Sequence, residues 1–220
     1  MDAKEIFSHI DHTLLKPTAT TEEIRQLCRE AEEYGAASVC IPPCFVEQAR
    51  KDFPGLRIGT VVGFPLGYIT TEMKIFEATT LVVAGADEID MVINQGWVRE
   101  KNYYAAAIEI AKIKQSVGDC VLKAIIETCN MSKEDLLTIA MLFGESGADY
   151  LKTSTGFGKA GAQITDVALL RALLPEKVKL KAAGGIRTKE QMEGFLAMGC
   201  DRLGCSAGMS LFAKESAEAE

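Results

Sequence analysis

Histidine is scarce in this sequence of 220 residues, where it is confined to two positions near the start, His9 and His12. The seven cysteines include two close pairs, Cys40 with Cys44 and Cys200 with Cys205. Neither pair completes a four-ligand zinc site with the histidines. We therefore expect neither a metal site nor a bound cofactor.

Long apolar runs are also missing. The longest candidate is interrupted by Gly85, Asp87 and Glu88, so no segment has the roughly 20 apolar residues of a membrane span. The first residues, MDAKEIFSHI, lack the basic and apolar regions of a secretion signal. An odd number of cysteines, seven, does not suggest a disulfide framework. We expect a soluble, cytoplasmic protein without a membrane partner.

Positive charge is in deficit. Lys and Arg number 24 against 31 Asp and Glu, which gives a net charge of −7. Duplex nucleic acids are bound through basic surfaces that neutralise phosphates, so we expect no nucleic-acid partner. A small phosphorylated ligand remains compatible with this charge because local groups can bind it.

The chain is rich in apolar segments of strand length, and patterns typical of helices separate them. A hydrophobic content of 48% over 220 residues is enough for the core of a single domain. Eight segments read as strands: HIDHTLL, ASVCIPP, RIGTVVGFP, EIDMVIN, VLKAIIET, YLKTST, VKLKAAGG and RLGCSA. Five intervening segments read as helices, several of them starting at Ser or Thr and ending at Gly: TTEEIRQLCREAEEYG, TTEMKIFEATTLVVAG, YYAAAIEIAKIKQSVG, SKEDLLTIAMLFGESG and TKEQMEGFLAMG.

This alternation predicts an all-parallel sheet, most simply a single-domain (β/α)₈ barrel. A doubly wound open sheet is the alternative, although no GxGxxG follows the first strand. The acidic C-terminal segment, from about residue 213, has few apolar anchors, and we expect it to be mobile.

Charged residues share one face of several predicted strands. Side chains alternate along a strand, so Asp90 lies opposite the apolar residues Ile89 and Met91. The same parity turns Lys123, Lys152 and Lys181 towards the interior of a barrel, near the strand ends where barrel enzymes carry their chemistry. An internal salt-bridge network that only stabilises the barrel is the alternative interpretation.

Two of these lysines open glycine-rich segments. Lys152 begins KTSTG and Lys181 begins KAAGG. A second amine nearby disfavours protonation of the first, which is what a Schiff-base nucleophile requires, and the position of the pair does not say which lysine attacks. The glycines add backbone N–H groups that can bind a phosphate.

Five ordered motifs, GFPLG, EIDMVIN, LKAIIET, KTSTGF and KAAGGIR, resemble those of the deoxyribose-phosphate aldolases, a family of class I aldolases. The resemblance implies reversible cleavage of 2-deoxy-D-ribose 5-phosphate to glyceraldehyde 3-phosphate and acetaldehyde, within the breakdown of deoxyribose phosphate, and it suggests a homodimer. It assigns the Schiff base to Lys152, pKa control to Lys181 and proton transfer to Asp90, with Lys123 in the same relay.

The resemblance also implies a phosphate site made largely of backbone N–H groups. Its candidate residues are Thr155, Gly156, Gly184, Gly185 and Ser206. Asp11, at the end of the first strand, is a further candidate for substrate contact or for the inner charge network, and turn capping is its alternative.

The sequence departs from the family at three points that concern the site, one of which is GKAGA at 158–162, less rich in glycine and threonine than the usual loop, so the phosphate affinity is expected to differ. CIPPC replaces the asparagine that many members carry after the second strand, and no tyrosine follows Tyr150, although members often end in one. We expect proton transfer to be slower or to use water. An aldolase for another phosphorylated sugar and a non-catalytic sugar-phosphate-binding barrel remain as alternatives.

Overall fold

Eight parallel strands close into a barrel in the computed structural model, which describes residues 1–212. Each strand pairs with the next along the chain, and β8 pairs with β1. The strands are β1 Ile10–Thr13, β2 Ser38–Ile41, β3 Ile58–Val62, β4 Glu88–Val92, β5 Val121–Ile125, β6 Tyr150–Lys152, β7 Lys179–Ala183 and β8 Arg202–Cys205. The predicted (β/α)₈ barrel is therefore confirmed. The predicted mobile segment lies outside the described residues.

Helices surround the barrel. They are α1 Ala3–Phe7, α2 Thr21–Tyr34, α3 Val46–Asp52, α4 Thr71–Val83, α5 Gln95–Arg99, α6 Tyr103–Val117, α7 Lys133–Phe143, α8 Ile164–Leu173 and α9 Lys189–Ala197. The five helical patterns correspond to α2, α4, α6, α7 and α9, which all begin at a capping side chain. Helix α8 follows Gln163, which makes no capping bond, and the sequence patterns above do not include it.

The outward faces of the strands form the main core with the helices. Ile89, Met91 and Ile93 of β4 and its end are fully buried in this layer, as are Leu122 and Leu180. Burying one such side chain contributes about 1.5–3 kcal/mol, so this layer fixes which face of each strand turns outward. The opposite faces then have to point into the barrel.

No helix within residues 1–212 has both the length and the apolar character needed to cross a membrane.

Candidate active site

Asp90 lies at the centre of a charge network inside the barrel. Register pairs Asp90 with Lys123 and Lys152 with Lys181, and because Lys152 pairs with Ile125, the second pair lies two residues closer to the strand ends than the first. Lys152 Nζ and Lys181 Nζ donate to the same oxygen, Asp90 Oδ2, at 2.7 and 2.8 Å. Lys123 Nζ donates to Asp90 Oδ1 at 2.8 Å. One buried carboxylate is thus shared by three amines.

A second group of charges lies on the side of the network towards the strand starts. Asp11 forms ion pairs with Lys181 and with Arg202, the first residue of β8, and its Oδ2 is 3.4 Å from Lys123 Nζ. Glu88 Oε2 accepts from Lys123 Nζ at 2.5 Å, and Glu88 Oε1 is 3.3 Å from Arg202 Nη2. The charges are therefore connected from the base of the barrel to Lys152.

The charge count of this interior is unequal. Among residues 1–212, the buried side chains that ion pairs connect to Lys152 are Asp11, Glu88, Asp90, Lys123, Lys181 and Arg202, while Glu127, also buried, binds Thr155 outside this network. Three carboxylates thus face four basic groups. Because a buried charge without a counter-charge is costly, one basic group is favoured in its neutral form.

The surroundings of the two lysines shift their pKa values in opposite directions. Burial lowers the pKa of Lys152, and Lys181 adds to this effect, while Asp90 opposes it. Burial acts in the same direction on Lys181, but Asp11 and Asp90 outweigh it and raise the pKa of that amine. Lys152 has one carboxylate, which it shares, whereas Lys181 has two. Lys152 is therefore the amine whose neutral form is favoured, a distinction that the position of the two lysines left open and that the family resemblance made in the same way.

The carboxyl of Asp90 stays ionised in this setting. Burial alone would raise its pKa, but the three surrounding amines hold it well below its usual range. The ionised carboxylate is therefore available as a hydrogen-bond acceptor for a water or a substrate hydroxyl.

Lys152 lines a cavity of about 340 Å³ at the strand ends, formed by the segments after β1, β6, β7 and β8. The predicted phosphate residues Thr155, Gly156, Gly184, Gly185 and Ser206 also line it. The structure thus brings these five residues together with Lys152. The exposed cations Lys16 and Arg187, which the sequence argument did not select, lie in the same wall.

Glycine is required where the segments after β6 and β7 meet. Gly184 has a φ of 85°, and a Cβ there would lie 3.0 Å from Gly161 Cα and 3.4 Å from Gly156 Cα. Gly185 follows with a φ of 76°. Successive left-handed glycines leave backbone N–H groups free to form an anion-binding concavity.

Thr155 has a structural partner that the sequence argument missed. Its hydroxyl donates to Glu127 Oε2 at 2.5 Å and accepts from the Phe157 amide at 3.0 Å. Glu127 is buried after β5 and has a φ of 56°, an uncommon conformation for a side chain of its size. Glu127 therefore ties the segment after β5 to the cavity segment after β6.

Asp11 belongs to the inner charge network, one of the two roles expected for it, and does not make the expected substrate contact. Asp11 is fully buried and binds Lys181 and Arg202 instead of lining the cavity. The turn-capping alternative also fails, because the carboxyl points into the barrel. Its neighbours Lys123, Lys181 and Arg202 outweigh the effect of burial and lower the pKa of the Asp11 carboxyl.

His9, His12 and Cys40 do not line the cavity. His12 Nε2 is 2.8 Å from Glu30 Oε2, and His9 Nδ1 is 3.1 Å from the Asp201 carbonyl. Cys40 is buried beside the network, and burial raises the pKa of its thiol. Within residues 1–212, no group of three or more His, Cys, Asp or Glu side chains is arranged to hold a metal ion.

Known aldolases resemble this chain in sequence and in structure. The model of the DeoC/LacD family of aldolases matches residues 6–212. A deoxyribose-phosphate aldolase of Clostridium botulinum (strain Alaska E43 / Type E3) is 45% identical over 219 residues, which cover 99% of each chain. One from Thermoanaerobacter sp. (strain X514) is 47% identical over 208 residues, covering 92% of this chain and 93% of its own. The solved deoxyribose phosphate aldolase from Aeropyrum pernix, described as a unique tetramer, has a TM-score of 0.88 at 31% identity and covers 99% of this chain and 93% of its own.

Proposed function

The chain belongs to the DeoC/LacD family of aldolases, and we propose that it cleaves 2-deoxy-D-ribose 5-phosphate reversibly to D-glyceraldehyde 3-phosphate and acetaldehyde through a Schiff base on Lys152. The observation that carries this proposal is the unequal charge count of the network, which favours the neutral form of Lys152 in the wall of a cavity. A neutral amine is the form that attacks a carbonyl.

The reaction begins when Lys152 Nζ attacks C1 of the open-chain aldehyde and loses water to give a protonated imine. A water held by Asp90 takes the proton of the C3 hydroxyl. The C2–C3 bond then breaks, its electron pair forms a double bond between C1 and C2, and the electron pair of the C=N bond moves to the imine nitrogen. Glyceraldehyde 3-phosphate leaves, and the enamine remains on Lys152.

The second half of the reaction returns the proton. Asp90 and Lys123, 2.8 Å apart, relay a proton through water to C2 of the enamine. The resulting imine is hydrolysed to acetaldehyde and free Lys152. The low pKa of Asp90 keeps its carboxylate unprotonated, so that it can accept a hydrogen bond from the water that carries the proton.

Trapping tests this proposal directly. Incubation with acetaldehyde and sodium borohydride should leave an ethyl group on Lys152, identified by peptide mapping. Absence of the adduct would favour a non-catalytic sugar-phosphate-binding barrel. Formation of the adduct without cleavage of deoxyribose 5-phosphate, combined with cleavage of another phosphorylated sugar, would indicate an aldolase of different specificity.

The phosphate of the substrate binds at Gly156, Gly184, Gly185 and Ser206. These residues line the cavity with Lys152, and backbone N–H groups suit a dianion. Ser206→Asp should raise KM for deoxyribose 5-phosphate about 100-fold, because two like charges about 4 Å apart repel by up to about 4 kcal/mol near a protein surface.

The matched control is Ser210→Asp, which adds the same charge at an exposed serine of the same segment, outside the cavity wall. Steady-state kinetics with deoxyribose 5-phosphate and with unphosphorylated deoxyribose separate the effects. Equal losses with both sugars would contradict a phosphate site at Ser206.

Self-association as a homodimer accompanies this function. Large apolar side chains on α4 and α6 are exposed, among them Phe76 (66%), Tyr104 (69%) and Ile108 (55%). A second copy could cover this face. Sedimentation should show dissociation on Phe76→Glu but not on the control Leu173→Glu, which changes an exposed residue of α8. Monomeric parent protein would refute the dimer.

The activity belongs to the breakdown of deoxyribose phosphate in the cytoplasm. All seven cysteines are free thiols, which supports a reducing compartment.

A further inference from the structure

Arg202 lies at the far end of the charge network from the cavity and has no place in the proposed reaction. We propose that Arg202 is a positioning residue that completes the cations opposite the three buried carboxylates and so keeps Lys152 uncharged. This inference rests on the proposed Schiff base at Lys152.

Arg202 is held by two carboxylates from different strands. It forms an ion pair with Asp11 of β1 and lies 3.3 Å from Glu88 of β4. The residue is 9% exposed, so water screens these contacts little. A surface arginine, in contrast, would have little effect on charges at the other end of the barrel.

A chain of ion pairs connects Arg202 to the reactive amine. Arg202 binds Asp11, Asp11 binds Lys181, and Lys181 shares Asp90 Oδ2 with Lys152. While Arg202 neutralises Asp11, the charge of Lys181 is available to neutralise Asp90. Lys152 can then stay unprotonated. Without Arg202, Asp11 has only Lys181 and Lys123 as counter-charges, and both also pair with Asp90, so Asp90 favours a protonated Lys152.

The ionisable groups next to Lys152 and next to Arg202 come from several strands. Lys152 faces Asp90, Lys181 and the thiol of Cys40. Arg202 faces Asp11, Glu88 and Tyr150. Strand β3, with the sequence IGTVV, contributes no ionisable side chain.

Two cations at the base are exposed and contribute less. Arg57 Nη1 is 3.7 Å from Glu88 Oε1, and its side chain is 57% exposed. Lys179 is exposed and lies over the Tyr150 ring, with its Nζ 5.7 Å from the ring centroid. Neither replaces Arg202 as a counter-charge for Asp11.

The test measures how kcat/KM, and the rate of borohydride trapping at Lys152, depend on pH. In Arg202→Gln the acid limb of both profiles should move to higher pH, with a loss of about 10-fold or more on that limb and recovery in alkali. Arg202→Lys keeps the charge and should keep the parent profile. A profile of Arg202→Gln with the parent's shape would overturn the inference, and so would an equal shift in Arg202→Lys.

Changing Glu88 provides an independent arm. Glu88→Gln removes a carboxylate, so its acid limb should move to lower pH. The double variant Glu88→Gln with Arg202→Gln has two carboxylates and three basic groups, which restores the parent's excess of one basic group, and its profile should return towards the parent's. If Arg202→Gln does not fold, the test depends on Glu88→Gln alone. An acid limb of Glu88→Gln at the same pH as the parent's then overturns the inference.

The same data separate this inference from the proposed function. Parent protein that forms no adduct on Lys152 at any pH would refute the Schiff base itself. Adduct formation in the parent with unmoved limbs in all variants would refute the role of Arg202 and leave the Schiff base intact.

Discussion

Lys152→Ala is expected to lower turnover of deoxyribose 5-phosphate by at least about four orders of magnitude and to abolish borohydride trapping. No other amine among residues 1–212 combines a lowered pKa with a place in the wall of the 340 Å³ cavity. Lys181, the nearest alternative, is charged and fully buried. The neighbouring lysine should therefore not rescue the reaction.

The variant should also remain folded. Removing Lys152 leaves three interior carboxylates opposite three cations, so the substitution strands no charge. Circular dichroism and thermal unfolding check this. Lys177→Ala is the control, since Lys177 is exposed and pairs with Glu145 on the surface. Trapping that persists in Lys152→Ala would move the nucleophile elsewhere.

Lys181→Met should lower kcat/KM about 100- to 1,000-fold near pH 7, with most of the loss recovered in alkali. An ordinary lysine is neutral in only about one molecule in 2,500 at pH 7, so a return of Lys152 towards its usual pKa has an effect of this size. Without Lys181, Asp90 Oδ2 serves Lys152 alone, and the pKa of Lys152 rises. Deprotonation, and with it the rate, is then reached at higher pH.

Lys179→Met is the matched control. Lys179 lies two residues earlier on the same strand with the same parity, but it is exposed at the base of the barrel. Its profile of kcat/KM against pH should follow the parent's. An equal loss at every pH in Lys181→Met would show that Lys181 acts by contact or shape, and not by setting the charge of Lys152.

The strand segments were readable from sequence because each carries its own pattern. In EIDMVIN the alternation of Ile89, Asp90 and Met91 states which side faces the helices, and β4 follows it. Family membership was also readable, since the five motifs are short, ordered and local in the chain. The comparisons confirm that resemblance. Helix α8 was harder because Gln163 makes no capping bond.

The partners of the charged residues were not readable. Asp11 was a candidate for substrate contact or for the inner charge network, but its partners there, Lys181 and Arg202, are distant in the sequence. Glu127 belonged to a recognised motif, but its hydrogen bond to Thr155 depends on a left-handed backbone conformation at Glu127. The residues LKAIIET do not predict that conformation. Such pairings arise only when the barrel closes.

The sequence by itself determined the strands, their inward and outward faces, the family and two candidate lysines, because these depend on residues that are neighbours along the chain. Only the tertiary structure showed why the pKa of Lys152 is lowered while that of Lys181 is raised. Barrel closure brings β8 against β1 and gives Lys181 a second carboxylate, Asp11, while Lys152 has only a share of Asp90. The charge of a buried amine is set by its spatial neighbours, and these are chosen by the fold.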